Sequence, residues 1–311
     1  IKKRSGDAAT SKEFPTDTPG LQNESRLNVT GDLANSIEAQ SQKADEVLNL
    51  SSLEMTEYTV DLDEPGQVTV LNLAHNYLTD MPDVKKLKSV RSLILDENSF
   101  TDVPKSIFEL GTLKKLSMKR CRLTWLPEVL FAYKGLEELY LEGNQMLSLP
   151  CDLVRMTSLR ALALHGNPFR DPLMSITQEG MEYTMAYLKF FYTAREFGLL
   201  DLREMDFGEM PYESDVRMVK EIKLNKNRFQ VAPELLLQAQ MLTALDFSEN
   251  YLEKIPSNIW EALTNLVHLR ISNNRLNHLS RSFGELHKLE TFHCDENLLE
   301  ELPNTMSSLQ S

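Results

Sequence analysis

The chain is poor in the residues and runs on which most chemistry and all membrane spanning depend. Its 311 residues hold only three cysteines, Cys121, Cys151 and Cys294. The count is odd, and no paired cysteines flank the repeated part, so the pattern points to a reducing compartment rather than a disulfide framework. No apolar run approaches the roughly 18 residues that a membrane-spanning helix needs. Lys and Arg number 33 against 46 Asp and Glu, a net charge of -13 that argues against a nucleic-acid backbone as partner. The phosphate-cradling patterns Gly-x-x-x-x-Gly-Lys and Gly-x-Gly-x-x-Gly are absent, as are His-Glu-x-x-His and Cys-x-x-Cys. The sequence therefore calls for no cofactor and no metal, and it is read as non-enzymatic.

The first residues, Ile1-Lys2-Lys3-Arg4, are basic but lack the apolar run of a secretory signal. With no initiator Met, and with the last residues falling inside a repeat, a fragment of a longer chain is expected. Acceptor triplets at Asn23, Asn28 and Asn49 carry little weight without a signal. Residues 1–46 are rich in Ser, Thr, Asp, Glu, Gly and Pro, a composition that buries too little apolar surface to order itself, so a disordered tail is expected.

What is present is leucine at fixed intervals. Leu71-x-Leu73-x-x-Asn76-x-Leu78-x-x-Met81-Pro82 defines a frame. It returns at Leu93-x-Leu95-x-x-Asn98, at Leu116-x-Met118-x-x-Cys121, at Leu139-x-Leu141-x-x-Asn144 and at Leu162-x-Leu164-x-x-Asn167. A second series runs through Asn227, Asn250, Asn274 and Asn297, again in steps of 22 to 24 residues. Such periodicity means stacked coils, each a supersecondary unit that buries its apolar edge only against its neighbours. In L-x-L the leucines alternate with an outward residue, which is a short strand. The buried Asn is expected to satisfy backbone groups at the turn.

Two frames depart from the rule. Leu48-x-Leu50-x-x-Leu53 and Leu200-x-Leu202-x-x-Met205 keep the leucine spacing but lose the Asn. Each precedes regular frames, so each reads as an atypical coil that begins an array; accidental leucine pairs are the alternative. Between the arrays, Ile176, Met181, Met185, Leu188 and Tyr192 recur at helical spacing. One amphipathic helix is expected there, covering the end of the first array or, in the alternative, docking a partner. The organisation expected is a tail over 1–46, a first array over 47–172, a helical insert over 173–197 and a truncated second array over 198–311.

The frames resemble those of the intracellular short-repeat leucine-rich-repeat family of the plant Ras-group-related type. Besides the repeats, Leu164-His165-Gly166-Asn167-Pro168-Phe169-Arg170 carries the likeness, with Glu179-Gly180, Ala186-Tyr187-Leu188 and Leu200-Asp201-Leu202 after it. The resemblance implies an α/β horseshoe solenoid with a parallel sheet on the concave face. It also implies a cytoplasmic scaffold, with small-GTPase signalling components among its partners, and it supplies no catalytic residues.

The concave face is then the expected site. Its outward ladder runs Asn72, Ile94, Ser117, Tyr140, Ala163 and then Lys223, Asp246, Arg270, His293. The residues assigned to protein binding are Ile94, Asp96, Glu97, Lys119, Arg120, Tyr140, Glu142, Lys223, Asp246, Arg270 and His293. Exposed Ile94 and Tyr140 amid charges are the expected anchors. His268 and His293, near Asp246, Arg270 and Asp295, read as surface contacts rather than a metal or acid–base site, since no cleft is expected there. Cys121 fits the Asn position as a small buried thiol, Cys294 points inward, and Cys151 has no cationic neighbour in sequence to activate it. Three functions fit: a non-catalytic scaffold or adaptor, the ligand-sensing part of an immune-type receptor, or the substrate-recruiting arm of an enzyme whose catalytic domain lies elsewhere.

Overall fold

A computed structural model describes residues 46–57, 67–81, 84 and 87–309. The expected tail lies outside these residues apart from Glu46, which opens the first strand.

Six short strands form one parallel sheet in sequence order: β1 (Glu46–Asn49), β2 (Val68–Asn72), β3 (Ser92–Ile94), β4 (Lys115–Ser117), β5 (Glu138–Tyr140) and β6 (Ala161–Ala163). Five more form a second: β7 (Leu199–Asp201), β8 (Glu221–Lys223), β9 (Ala244–Asp246), β10 (His268–Arg270) and β11 (Thr291–His293). The register is that of the frames. Leu48, Leu71, Leu93, Leu116, Leu139 and Leu162 pair in a row, as do Leu200, Ile222, Leu245, Leu269 and Phe292. Each row points inward. Leu71, Leu93, Leu116 and Leu139 are fully buried, because a stacked neighbour covers each on both sides.

After each strand the chain turns through the frame's Asn. Asn98 shows the bonding: its Nδ2 donates to Leu95 O in its own coil and to Leu73 O in the preceding one, both at 2.9 Å, while its Oδ1 accepts from Leu78 N at 3.0 Å. Asn76, Asn144, Asn167, Asn227, Asn250, Asn274 and Asn297 repeat that reach into the preceding coil. Cys121 keeps half of it: its buried thiol lies 3.2 Å from Leu95 O, and burial pushes its pKa up to about 12. The residue before each of these positions is left-handed, with Gly143 and Gly166 at φ 68 and 76 and non-glycine residues such as His75, Glu97, Arg120 and Glu249 at 52 to 56. Side chains tolerate that region poorly, so the turn is held by its hydrogen bonds rather than by local preference.

The return legs begin at proline. Pro104, Pro127, Pro150, Pro233, Pro256 and Pro303 sit just ahead of short helical turns, and Ser280 takes the same place in one coil. The ring fixes φ near the value the turn needs. Most legs are 3-10 turns, but two are short α-helices, α1 (Glu128–Ala132) and α4 (Ser257–Ala262). The legs drop apolar side chains into the core, one from most turns, such as Ile107 and Phe283, and two from each short helix, Leu130 with Phe131 and Ile259 with Trp260. The final described coil lacks a covering neighbour, and its Leu302 is 49% exposed where the equivalent Leu279 is 7%.

The linking segment is two helices, not the one expected: α2 (Leu173–Gln178) and α3 (Met181–Phe197). Gly180 separates them at φ 108, ψ -176, a conformation essentially restricted to glycine. The buried stripe of α3 is Thr184, Tyr187, Leu188, Phe191 and Ala194; Met185 and Tyr192, expected to face inward, are only half-buried. This helix packs on the turn Cys151–Arg155 and on β6, ends at left-handed Gly198, and leads directly into β7. Two polar contacts pin it. Both terminal nitrogens of Arg195 donate to the carboxylate of Asp152, and Tyr187 donates to Glu213 Oε2 at 2.7 Å. Hydrogen bonding from Arg195 holds the Asp152 carboxyl below its ordinary range.

Asn250→Leu, close in volume but without the amide, should destabilise the folded chain by about 1–3 kcal/mol, since the buried backbone groups it served lose their partners; an unchanged urea midpoint would contradict the bonding described. The junction should also respond to pH. Burial pushes the Glu213 carboxyl above its ordinary 4.5, with the Tyr187 hydroxyl opposing. The folded carboxyl thus holds its proton more tightly than the unfolded one. Its stabilising contribution is complete below pH 4.5 and is lost as pH rises through the raised value. Glu213→Gln, which keeps an acceptor for Tyr187, should melt with the parent near pH 4 and above it near pH 7; parallel melting curves across that range would refute the assignment.

Candidate functional site

The strands present a row of outward side chains whose neighbours are set by the coil step, not by local sequence. In the six-stranded sheet the register places Asn72, Ile94, Ser117, Tyr140 and Ala163 side by side. Tyr140 is the focus. The ammonium groups of Lys115 and Lys119 both lie 4.9 Å from its ring centroid, and its hydroxyl donates to Glu138 Oε2 at 3.0 Å. That bond raises the pKa of the phenol above its ordinary value. The lysines are themselves tethered, Lys115 to Glu138 at 3.2 Å and Lys119 to Glu142 at 2.9 Å, and the hydrogen bond from Lys119 to Glu142 raises the pKa of the ammonium.

Charge alternates from coil to coil. Asp96 and Glu97 follow β3, Lys119 and Arg120 follow β4, and Glu142 follows β5. Arg120 Nη1 meets Glu97 Oε1 at 2.9 Å, and His75 Nδ1 lies 3.1 Å from Glu97 Oε2. Asp96 is occupied as an acceptor, taking Ser117 Oγ at 2.6 Å and Lys119 N at 2.9 Å. The aromatic ring therefore sits in a preorganised lattice of opposite charges with few free rotamers. A partner pressing on it would meet little additional entropy cost.

Two expectations about this face need correction. Ile94 and Tyr140 are half-buried rather than exposed, because each lies between paired strands of neighbouring coils and two lysines also crowd Tyr140. Glu142 is buried, with 9% of its surface accessible, so it acts from below on Lys119 rather than by meeting a partner. The setting of Tyr140 is completed by Glu138, one of the charges flanking the ladder, and by Lys115, which the sequence reading did not single out. The signal for Lys115 lay in the coil step: charges one coil apart, such as Glu97 and Arg120 at a separation of 23, become neighbours.

The remaining assigned residues lie on the five-stranded sheet. The register sets Lys223 beside Asp246, Asp246 beside Arg270, and Arg270 beside His293. Arg270 and His293 are exposed, while Lys223 and Asp246 are half-buried, with Lys223 held by Glu221 at 3.0 Å. These four are grouped with one another and not with Tyr140, which belongs to the other sheet. His268 lies beside Thr291, its Nδ1 2.8 Å from the hydroxyl, and no cluster of metal-binding geometry occurs among the described residues. Cys151 is half-buried, and burial raises its pKa; a cation does lie nearby after all, Arg195, delivered by α3 from a distant part of the chain.

Residues 88–146, which contain the core of this face, match the leucine rich repeat family. The fold is a leucine-rich-repeat solenoid. A 73-residue stretch is 37% identical to part of an adenylate cyclase of Podospora anserina, covering 24% of this chain and 3% of that protein's length. Among solved structures, a leucine-rich-repeat protein of Leptospira interrogans aligns over 81% of this chain and 78% of its own, at 22% identity and a TM-score of 0.32. YopM of Yersinia enterocolitica aligns over 88% and 46%, at 21% identity and a TM-score of 0.31. Among the described residues no helix is long and apolar enough to cross a membrane.

Proposed function

We propose that this leucine-rich-repeat chain is a non-catalytic scaffold that captures a protein partner on the strand face of its first sheet. The observation that carries the reading is Tyr140, an aromatic ring with two lysine ammonium groups 4.9 Å from its centroid on a charge-alternating face. Large, rigid, partly polar side chains surrounded by paired charges are what the energetic centres of protein interfaces use. Around it the contact residues are Ile94, Asp96, Glu97, Lys119 and Arg120, with Glu142 as support. Lys223, Asp246, Arg270 and His293 form a second, separate contact patch. The organisation proposed is an N-terminal tail followed by two arrays joined by the helical pair.

The finer assignment is to the intracellular short-repeat class of the plant Ras-group-related type, with the stretch from Leu164 to Asn227 most like leucine-rich repeat-containing protein 40. A cytoplasmic setting accords with three free thiols at Cys121, Cys151 and Cys294. Small-GTPase signalling components are the partner class that this likeness favours. A second reading, the recruiting arm of an enzyme, is supported by the match to a short part of an adenylate cyclase.

Tyr140→Ala decides the main reading. Immobilised parent and variant chains of equal melting temperature are exposed to the same cell extract, and the recovered proteins are quantified by mass spectrometry. At least one protein enriched on the parent should fall about tenfold or more on the variant, the loss of a central aromatic anchor. Equal recovery of every protein removes Tyr140 from the site.

A further inference from the structure

Away from the strands, a cavity of about 540 Å³ opens between α1, the turn Cys151–Arg155 and the last turn of α3. Trp125 forms one wall. The repeat does not ask for a tryptophan there: the same frame position holds Asp80, Asp102, Ser148 and Lys254 in other coils. Nor does packing use it. Trp125 is 52% exposed, whereas Trp260, the other tryptophan of the chain, is fully buried. A half-exposed indole lining a cavity offers a large apolar body with a polar N–H to whatever enters it.

The charges around it do not cancel. Asp152 accepts from both terminal nitrogens of Arg195 and from Arg155 Nη1 at 3.3 Å, and Glu196 meets Arg195 at 3.2 Å. Two guanidinium groups are thus matched by two carboxylates. Glu128, three residues after Trp125 and in the first turn of α1, also lines the cavity and makes no ion pair among the described residues. The uncompensated charge is one carboxylate in a cavity that an indole also lines. An incoming anion would compete with Asp152 for the arginines and would approach Glu128 and Glu196. A guanidinium instead gains the ring by stacking and Glu128 by a charge-assisted hydrogen bond.

We propose that this cavity is a second binding site, distinct from the strand face, that takes an arginine side chain of a basic partner segment. The net charge of -13 draws such a segment toward the chain. The cavity's walls, a coil pair and the C-terminal turn of α3 joined by the Arg195–Asp152 pair, make the site dependent on the junction between the arrays.

Because one tryptophan is exposed and the other buried, intrinsic fluorescence reads the site directly. The full chain is titrated at physiological salt with an uncharged-ended Gly-Arg-Gly-Arg-Gly peptide and with its glutamate counterpart. The arginine peptide should shift the emission with saturation, and the glutamate peptide should leave it unchanged. Trp125→Phe should abolish the response, leaving only Trp260 emission. Glu128→Gln should weaken half-saturation about fivefold, the effect of one partly exposed ion pair, while Glu300→Gln/Glu301→Gln, at exposed acids outside the cavity, should not alter it. A linear response, a saturating response to the glutamate peptide, or equal weakening by the two charge variants would overturn the site. Circular dichroism matched to the parent ensures that each variant is folded. The readout does not involve Tyr140, so failure here and failure of the strand-face reading are separable.

Discussion

All but a few coils of this protein are tied to their predecessor by one side-chain amide, with the Cys121 thiol in its place once, and the rest of the architecture follows from the direction of that tie. The Nδ2 of Asn98 spans from its own coil to Leu73 O, and that of Asn274 reaches Phe247 O in the same way. An amide is suited to this because it donates twice and accepts at once, so one side chain serves backbone groups in two coils that cannot reach each other or water. The bond always points backwards along the chain. A coil with no described coil behind it therefore has no carbonyl of a preceding coil for an Asn to reach, and the two coils that open the sheets carry Leu53 and Met205 instead. Their own backbone N–H groups are still served, Met55 by Asn76 and Phe207 by Asn227 of the following coils.

The backward tie also explains why the turn can hold side chains in left-handed geometry. At Glu97 and Arg120 a strain of order 1–2 kcal/mol is offset by hydrogen bonds that fix the next residue. Those strained positions stand beside the strand face and carry its charges: Glu97 and Arg120 pair across coils. Glycine at Gly143 and Gly166 relieves the strain but brings no side chain. Coils with charged residues there gain a place to present chemistry at a cost in backbone energy; Glu97 and Arg120 do so next to Tyr140, and Lys226, Glu249 and Glu296 do so in the second array.

The coil frame, its strands and its inward rows were legible in the sequence because they repeat, and stacking needs only nearest neighbours. What is not periodic was much less legible. The break at Gly180 depends on a single backbone conformation, and the orientation of α3 depends on Asp152 and Glu213, which no helical spacing reveals. The same limit applies to the face. Tyr140 stood out as an aromatic in the ladder, but its half-burial follows from lysines on the adjacent coil. Ile94 and Glu142 were misjudged for the same reason: accessibility on a sheet is decided by side chains one strand away. Charges a coil step apart are the one long-range signal such a chain does print, and Lys226 with Glu204, at a separation of 22, obeys it as Arg120 with Glu97 does.

In a solenoid the frame claims the inward residues, the Asn and the proline, and leaves the others free. Departures at the free positions are where partner chemistry can be written without disturbing the stack. Most such positions here hold small or charged residues that cost nothing in water. Tyr140 and Trp125 do not. One is stabilised by cations already in place, and the other lines a cavity in which Arg155 and Arg195 are engaged by Asp152 and Glu196 while Glu128 makes no ion pair among the described residues. The two aromatic residues thus stand in different electrostatic settings, Tyr140 on the strand face and Trp125 away from it, so a partner suited to one is not thereby suited to the other, and occupying the first leaves the second available.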